Sequence, residues 1–226
     1  MSDFGVPLTA PKAILRSMSI AMVATDGRQG TLAFRLAKGL LDKTLALLAL
    51  PVIALAAAAL LILNPVFNPG PLFFRQERMG RDRVSFTMWK FRTMRPSAQG
   101  PRSAEDGVET DRITTLGRIL RTYRIDELPN FLNVLTGEMS VVGPRPDMSA
   151  HAEHFLDAIP HYHCRYAARP GITGLAQIEA GYAEGLAATA RKALYDRIYV
   201  GQASIALDLY ILLGTLRVLV RGAGAK

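Results

Sequence analysis

The apolar positions of this chain are unevenly spread. Residues 44–74 carry no charge, and Leu45 to Leu63 are almost all Leu, Ala, Ile and Val. A helix rises about 1.5 Å per residue, so roughly 20 such residues reach about 30 Å, one hydrocarbon thickness. Pro51 lies inside the run, where it removes a backbone hydrogen bond and kinks or breaks a helix. Basic residues flank both ends: Arg28, Arg35, Lys38 and Lys43 before, and Arg75, Arg78, Arg81, Arg83, Lys90 and Arg92 after. A spanning helix usually carries its basic excess on one side. The pattern predicts a re-entrant helix–break–helix wedge with Pro51 as the membrane kink. Asn64-Pro65 and Asn68-Pro69-Gly70-Pro71 predict a helix stop and a turn.

Past Arg75 the pattern is that of a soluble domain. Val84 to Met88 alternates apolar and polar, which predicts a strand continuing through Trp89 to Met94. Lys90 and Arg92 then share one face. Residues 96–109 are rich in Ser, Gly, Pro and charge and read as a loop. Ile113 to Arg124 has helical spacing, with Leu116, Ile119, Leu120 and Tyr123 on one side, suiting a helix on a membrane surface. A second apolar stretch, 205–220, is interrupted by Asp208, Tyr210 and Arg217. It predicts an interfacial amphipathic helix with its charges among lipid headgroups, although a core helix fits the pattern equally. Met1 to about Thr31 is Ala/Ser/Met-rich and lacks a signal-peptide core, so it reads as a poorly ordered cytosolic tail. The expected fold class is α+β, predominantly helical. The expected division is a tail over 1–33, a re-entrant membrane hairpin over 34–74 and a small cytosolic domain over 75–226.

Charge narrows the partners. Lys and Arg outnumber Asp and Glu by 27 to 19, a net +8, which fits phosphates, nucleic acid or an acidic leaflet. One cysteine, Cys164, excludes an internal disulfide. Its neighbours His161 and His163 follow no zinc spacing, so Cys164 reads as a buried small hydrophobe.

The candidate chemistry centres on Asp126-Glu127-Leu128-Pro129, directly after the basic stretch Arg112 to Arg124. Proline is tolerated in a helix's first turn, so Asp126 is expected to cap a helix running to about Leu135. The helix dipole would favour its ionised form. An ionised carboxylate is a nucleophile toward phosphorus or a magnesium ligand. Lys90 and Arg92 form a candidate diphosphate grip. Gly143-Pro144-Arg145-Pro146 holds one arginine between rigid residues, preorganised for a phosphate. Pro170 to Gly174 is a second rigid turn after Arg169. Each feature alone also has a plain structural reading: a solvated strand face, a capping Asp, a rigid turn.

Taken together, these segments resemble the bacterial sugar transferase family, the monotopic polyprenyl-phosphate phosphoglycosyl transferases of the type that initiates exopolysaccharides. The matching stretches are Gly70 to Arg78, Lys90 to Met94, Arg112 to Thr114, Gly117-Arg118, Asp126 to Pro129, Asn133 to Leu135, Met139 to Pro146 and Pro170 to Gly174, with Asp196, Tyr199, Ser204 and Asp208 near the end. The resemblance covers about Lys38 to Val220. It implies transfer of a sugar-1-phosphate from a UDP-sugar to polyprenyl (undecaprenyl) phosphate, releasing UMP. It makes Asp126 the nucleophile of a covalent phosphosugar intermediate, and places Mg2+ at Asp126 and Glu127. It assigns phosphate binding to Arg121 and nucleotide or phosphate binding to Arg145. It matches Pro51 to the break of a re-entrant helix. It further implies residence at the bacterial inner membrane with the catalytic domain on the cytoplasmic face, contact with membrane lipid, no nucleic-acid partner, and leaves a homodimer open. The chain departs from the family pattern at Tyr123-Arg124-Ile125, Asn130, Leu50 and Leu175 with Ile178 to Ala180. Two other readings stay open: a membrane-anchored module binding anionic lipid or nucleic acid without catalysis, and a spanning assembly protein of a polysaccharide export complex.

Overall fold

The computed structural model describes residues 31–96, 109–180 and 185–220. The expected tail falls almost wholly outside the described residues, as does most of the expected 96–109 loop.

The first element, α1, spans Leu32–Phe67 without interruption. Thr31 caps it, its hydroxyl accepting the Phe34 N–H at 3.2 Å. Among the described residues α1 is the helix long and apolar enough to cross a membrane. Its buried residues are Asp42, Ala46, Ile53, Leu60 and Asn64. Their spacings of four and seven form one stripe, along which the rest of the protein packs. Leu40, Leu47, Leu48, Leu55, Leu61, Ile62 and Val66 are each more than half exposed. The expected break at Pro51 is absent, and the expected stop at Asn64-Pro65 comes about one turn late. A proline deletes a single backbone bond. Here the buried stripe continues on both sides of it, so the helix persists. The Asn68 N–H donates to the Asn64 carbonyl at 2.9 Å and closes α1 beyond Pro65.

After the turn, β1 (Phe73–Met79) pairs antiparallel with β2 (Ser85–Phe91), Phe73 opposite Phe91 and Met79 opposite Ser85. The expected strand is therefore present but ends at Phe91, and its partner β1 carries no alternation that the sequence reading recognised. Arg92 leaves the ladder and turns inward. It is 6% exposed. Its guanidinium donates to the Pro71 carbonyl (2.8 Å), the Met94 carbonyl (3.3 Å) and the Asn68 carbonyl. Asn68, fully buried, returns a bond from Nδ2 to the Arg92 carbonyl at 2.8 Å and accepts the Thr114 hydroxyl at 3.2 Å. Arg92 thus staples the turn that brings the chain out of α1.

Then come α2 (Thr115–Thr122), α3 (Asn130–Thr136), β3 (Ser140–Val142), α4 (Ser149–Ala158), β4 (Gly171–Thr173), α5 (Leu175–Glu179), α6 (Leu186–Gln202) and α7 (Ile205–Val220). Strands β3 and β4 form a parallel pair, Ser140 opposite Gly171 and Val142 opposite Thr173. Their ends approach too closely for a side chain: a Cβ on Gly171 would lie 2.1 Å from the Gly143 nitrogen. The main core gathers Val134, Met139, Val141, Val142, Leu175, Tyr195, Ile198, Tyr199 and Ile211 around Ala46 of α1. The fold is α+β and mostly helical, as expected.

Three local expectations change. On α2, Leu120 is buried while Ile119 and Tyr123 are 51% and 61% exposed, so the four do not share one buried side. On α7, Asp208 is fully buried rather than among headgroups, because Lys38 pairs with it at 2.7 Å. Cys164 is only partly buried, with His163 Nε2 3.7 Å from its sulfur.

Arg92→Ala strands buried carbonyls that lose a charged donor. It is expected to cost about 2–4 kcal/mol, read as a lower denaturation midpoint in detergent. Arg92→Lys is expected to recover only part of this, since one ammonium lacks the guanidinium's fixed fork.

Candidate active site

The site is built on the reversal between α2 and α3. After Thr122 the chain turns at Arg124, which adopts a left-handed conformation (φ 54°, ψ 25°). Such a conformation costs a non-glycine residue roughly 1–2 kcal/mol. A 3-10 turn, Ile125–Glu127, follows. The Leu128 N–H donates to the Ile125 carbonyl at 3.1 Å, and α3 starts only at Asn130. Asp126 therefore does not cap α3, contrary to expectation. Pro129 occupies the cap position, and the carboxylates sit on a separate turn ahead of it. Helix-dipole stabilisation of Asp126 falls with that correction.

The two carboxylates live in opposite environments. Glu127 is buried and pinned. Lys90 Nζ lies 2.9 Å from its Oε1, Arg145 Nη2 2.5 Å from Oε1, and Arg124 Nη1 3.0 Å from Oε2. Burial alone would push its pKa up, but Arg145, Lys90 and Arg124 hold it well below the usual carboxylate range. Asp126 is 8% exposed. Among the described residues no hydrogen bond or ion pair reaches its carboxylate. Burial, reinforced by Glu127, pushes its pKa up from 3.8 to about 6, against the pull of Lys90, Arg121 and Arg145. Paired carboxylates split in this way divide roles. One gathers three cations. The other stays available at neutral pH.

The cations come from distant parts of the chain. Lys90 is on β2, Arg121 on α2, Arg124 at the reversal, and Arg145 in the loop after β3. Burial pulls the Lys90 ammonium below its ordinary value, with Arg145 and Arg78 pushing the same way against Glu127. Four of the residues proposed from sequence thus meet with Asp126: Glu127, Lys90, Arg121 and Arg145. Arg92 does not join them. Pro51 lies mid-way along α1, outside this cluster.

Sequence reasoning missed Arg124 as a site residue, noting it only as a departure from the family pattern. It also missed Arg78, whose charge acts on Lys90 and whose Nη1 donates to the Pro146 carbonyl at 3.2 Å. The support behind Arg145 was missed as well. Arg165 Nη2 donates to the Arg145 carbonyl at 2.6 Å, and Arg165 Nη1 pairs with Asp147 at 2.7 Å. Tyr162 and Tyr166 both donate to Asp147 at 2.9 Å. No local signal ties residue 165 to residue 145. Two buried polar atoms on the α2–α3 segment, Arg121 Nη1 and Asn130 Oδ1, have no hydrogen-bond partner among the described residues. Orphaned polar groups cost about 1–3 kcal/mol each and suit a site completed by ligand.

Four basic side chains thus surround two carboxylates, one of them unpaired, in a protein that also carries a long apolar helix. Such an excess of positive charge suits the binding of an anionic group. Residues 33–222 match the bacterial sugar transferase family, and the chain belongs to it. It is 43% identical over 168 residues to the UDP-glucose:undecaprenyl-phosphate glucose-1-phosphate transferase of Caulobacter vibrioides, covering 74% of this chain and 61% of that protein. It is 38% identical over 188 residues to the UDP-N-acetylgalactosamine-undecaprenyl-phosphate N-acetylgalactosaminephosphotransferase of Aeromonas hydrophila, covering 82% of this chain and 44% of that protein. It is 41% identical over 186 residues to the exopolysaccharide production protein PSS of Rhizobium leguminosarum bv. phaseoli, covering 79% of this chain and 92% of that protein. The aligned part thus makes up about half of the two named transferases.

Asp126 has a folded pKa of about 6 against an ordinary 3.8. Its raised value means that the folded state holds the proton more tightly. Stability is fully present below about 3.8 and is lost as pH rises through about 6. Asp126→Asn mimics the neutral form. The variant is expected to be more stable than wild type by on the order of 2–3 kcal/mol above pH 6. Denaturant titrations at pH 7.5 and pH 4 test this, with the gain shrinking toward zero at the lower pH.

Proposed function

We propose that this chain transfers a sugar-1-phosphate from a UDP-sugar to polyprenyl (undecaprenyl) phosphate, with release of UMP. The observation that carries the reading is the buried Asp126 carboxylate, unpaired among the described residues, amid an excess of cations. An Asp126 oxygen attacks the phosphorus that bears the sugar. The bond from that phosphorus to the bridging oxygen breaks, and UMP departs with the electron pair. The sugar phosphate is left on Asp126 as an acyl phosphate. A phosphate oxygen of the polyprenyl acceptor then attacks the same phosphorus, and the Asp126 carboxylate leaves. Two steps on one carboxylate let a soluble donor and a lipid acceptor use the same site in turn.

The cations do the electrostatic work. Arg145, Lys90 and Arg124 are prepositioned by Glu127, so little reorganisation is needed when the donor's charge arrives. Arg121, with its orphaned Nη1, supplies a donor toward the transferred phosphate. The pair suits magnesium chiefly through Asp126, whose oxygens are not bonded among the described residues, while Glu127 would share its oxygens between the ion and the cations that hold them. Bound at Asp126 and Glu127, Mg2+ would neutralise charge on the diphosphate.

We further infer that α1 lies in one face of the membrane rather than spanning it, with the catalytic domain on the cytoplasmic face of the inner membrane. Both ends of α1 hydrogen-bond to the same domain: Lys38 and Asp42 to the β3 strand, and Asn68 to Arg92 and Thr114. A span would put those ends on opposite sides of about 30 Å of hydrocarbon, whereas both are held by one body. The exposed apolar residues of α1 supply the lipid-facing surface.

The test is a UMP-release assay on purified protein in detergent with undecaprenyl phosphate, Mg2+ and a panel of UDP-sugars beginning with UDP-glucose and UDP-N-acetylgalactosamine. One donor is expected to give UMP, with activity lost in Asp126→Asn and on chelation of Mg2+. UMP release by Asp126→Asn at the wild-type rate would contradict the mechanism. Because only ionised Asp126 attacks, kcat/KM is expected to fall as pH drops below about 6. A profile flat down to pH 5 would remove Asp126 from the nucleophile role.

A further inference from the structure

Outside the carboxylate pair, buried polar groups converge on β3. The Val142 carbonyl is approached by Lys38 Nζ, the Tyr199 hydroxyl and the Ser140 hydroxyl, each at 3.0 Å. The preceding residue, Val141, donates its N–H to Asp42 Oδ1 at 3.0 Å, and the Ser140 hydroxyl lies 2.8 Å from Asp42 Oδ2. Lys38 also pairs with Asp208 on α7 at 2.7 Å, and Tyr199 donates to Asp208 at 2.9 Å. Asp42 and Asp208 are 4% and 0% exposed. Lys38 and Asp42 stand one turn apart on one face of α1.

Burying charges brings little net stability, since well-packed apolar residues do as well or better. What a saturated polar network adds is a fixed geometry. Here it fixes the last residue before Gly143-Pro144-Arg145-Pro146. The two prolines restrict φ on either side of Arg145. The Gly143 N–H is tied to the Thr173 carbonyl at 2.9 Å, with no room for a Cβ. A displacement of β3 therefore carries into Arg145 rather than dissipating in the loop. Arg165 holds the far side through the Arg145 carbonyl and Asp147.

We propose that Asp42, assisted by Lys38, is a positioning residue: the docking of the apolar helix α1 onto β3 sets where the Arg145 guanidinium stands over Glu127. The proposal rests on the reading above only for what Arg145 binds. Its chemistry distinguishes two substitutions. Asn at position 42 retains both bonds: Oδ1 still accepts the Val141 N–H, and Nδ2 donates to the Ser140 oxygen, whose proton turns to the Val142 carbonyl. Ala retains neither.

The experiment uses the full chain in nanodiscs, with hydrogen–deuterium exchange and binding of UDP in Mg2+ as readouts. In Asp42→Ala, exchange is expected to rise over residues 140–147 while 115–136 keeps its protection. UDP binding is expected to weaken by about tenfold. Asp42→Asn is expected to restore both. In an Arg145→Ala background, Asp42→Ala should weaken UDP binding little further, because the two act as one unit. Unchanged exchange over 140–147, an even rise across the whole chain, or full additivity with Arg145→Ala would each overturn the proposal. Ser140→Ala, which removes one donor to Asp42, gives the same local test with a smaller rise if the alanine variant at position 42 does not fold. If wild-type protein binds no UDP, the substrate assignment fails, and the exchange measurement still decides the coupling.

Discussion

The ion-paired cluster around Glu127 is the contact on which the rest of the structure depends. One buried carboxylate gathers Lys90 from a hairpin, Arg124 from a strained reversal and Arg145 from a distant loop. A buried carboxylate without partners would cost several kcal/mol, so those three segments must arrive together. Their arrival creates a positive concentration far larger than one carboxylate can neutralise. Asp126 is the residue left over. It borders this field but forms no bond with it, and burial beside Glu127 keeps its pKa near 6. The pairing of Glu127 thus leaves Asp126 free.

The apolar helix completes the arrangement. Its stripe from Asp42 to Asn64 packs against the domain, while its remaining faces present bare leucine and isoleucine. Polar contacts at both ends bind the helix to one body. The same contacts border the functional loops. Lys38 and Asp42 fasten the strand before Arg145, and Asn68 with Arg92 fastens the turn before the hairpin that carries Lys90. The seating of the apolar helix and the geometry of the carboxylate site are therefore built from shared parts.

Much of this was legible in the sequence, and the rest for physical reasons was not. The 19 residues from Leu45 to Leu63 announce the long apolar helix through composition alone. The alternation from Val84 announces β2. Asp126, Glu127, Lys90, Arg121 and Arg145 stand out by residue type and by the rigid residues around them. Arg92 stood out equally and proved to be a staple, because a strand face looks the same in sequence whether its end is solvated or folded inward. Pro51 predicted a break that packing on both sides overrides. Asp126 looked like a cap, since proline three residues later suits both a helix start and a separate 3-10 turn. Arg124, Arg165, Asp42 and Lys38 gave no local signal. Their meaning lies in partners 3 to 170 residues away that only the folded chain brings into reach.

The central claim is that the unpaired Asp126 carboxylate takes the sugar phosphate onto itself. The direct measurement is peptide mass spectrometry after brief incubation with the active UDP-sugar and Mg2+, without lipid acceptor, quenched cold. The account predicts an added sugar-phosphate mass on the peptide containing Asp126, which disappears when undecaprenyl phosphate is supplied. An adduct on another residue would contradict it. So would steady transfer to lipid with no adduct at any time point under conditions that preserve acyl phosphates.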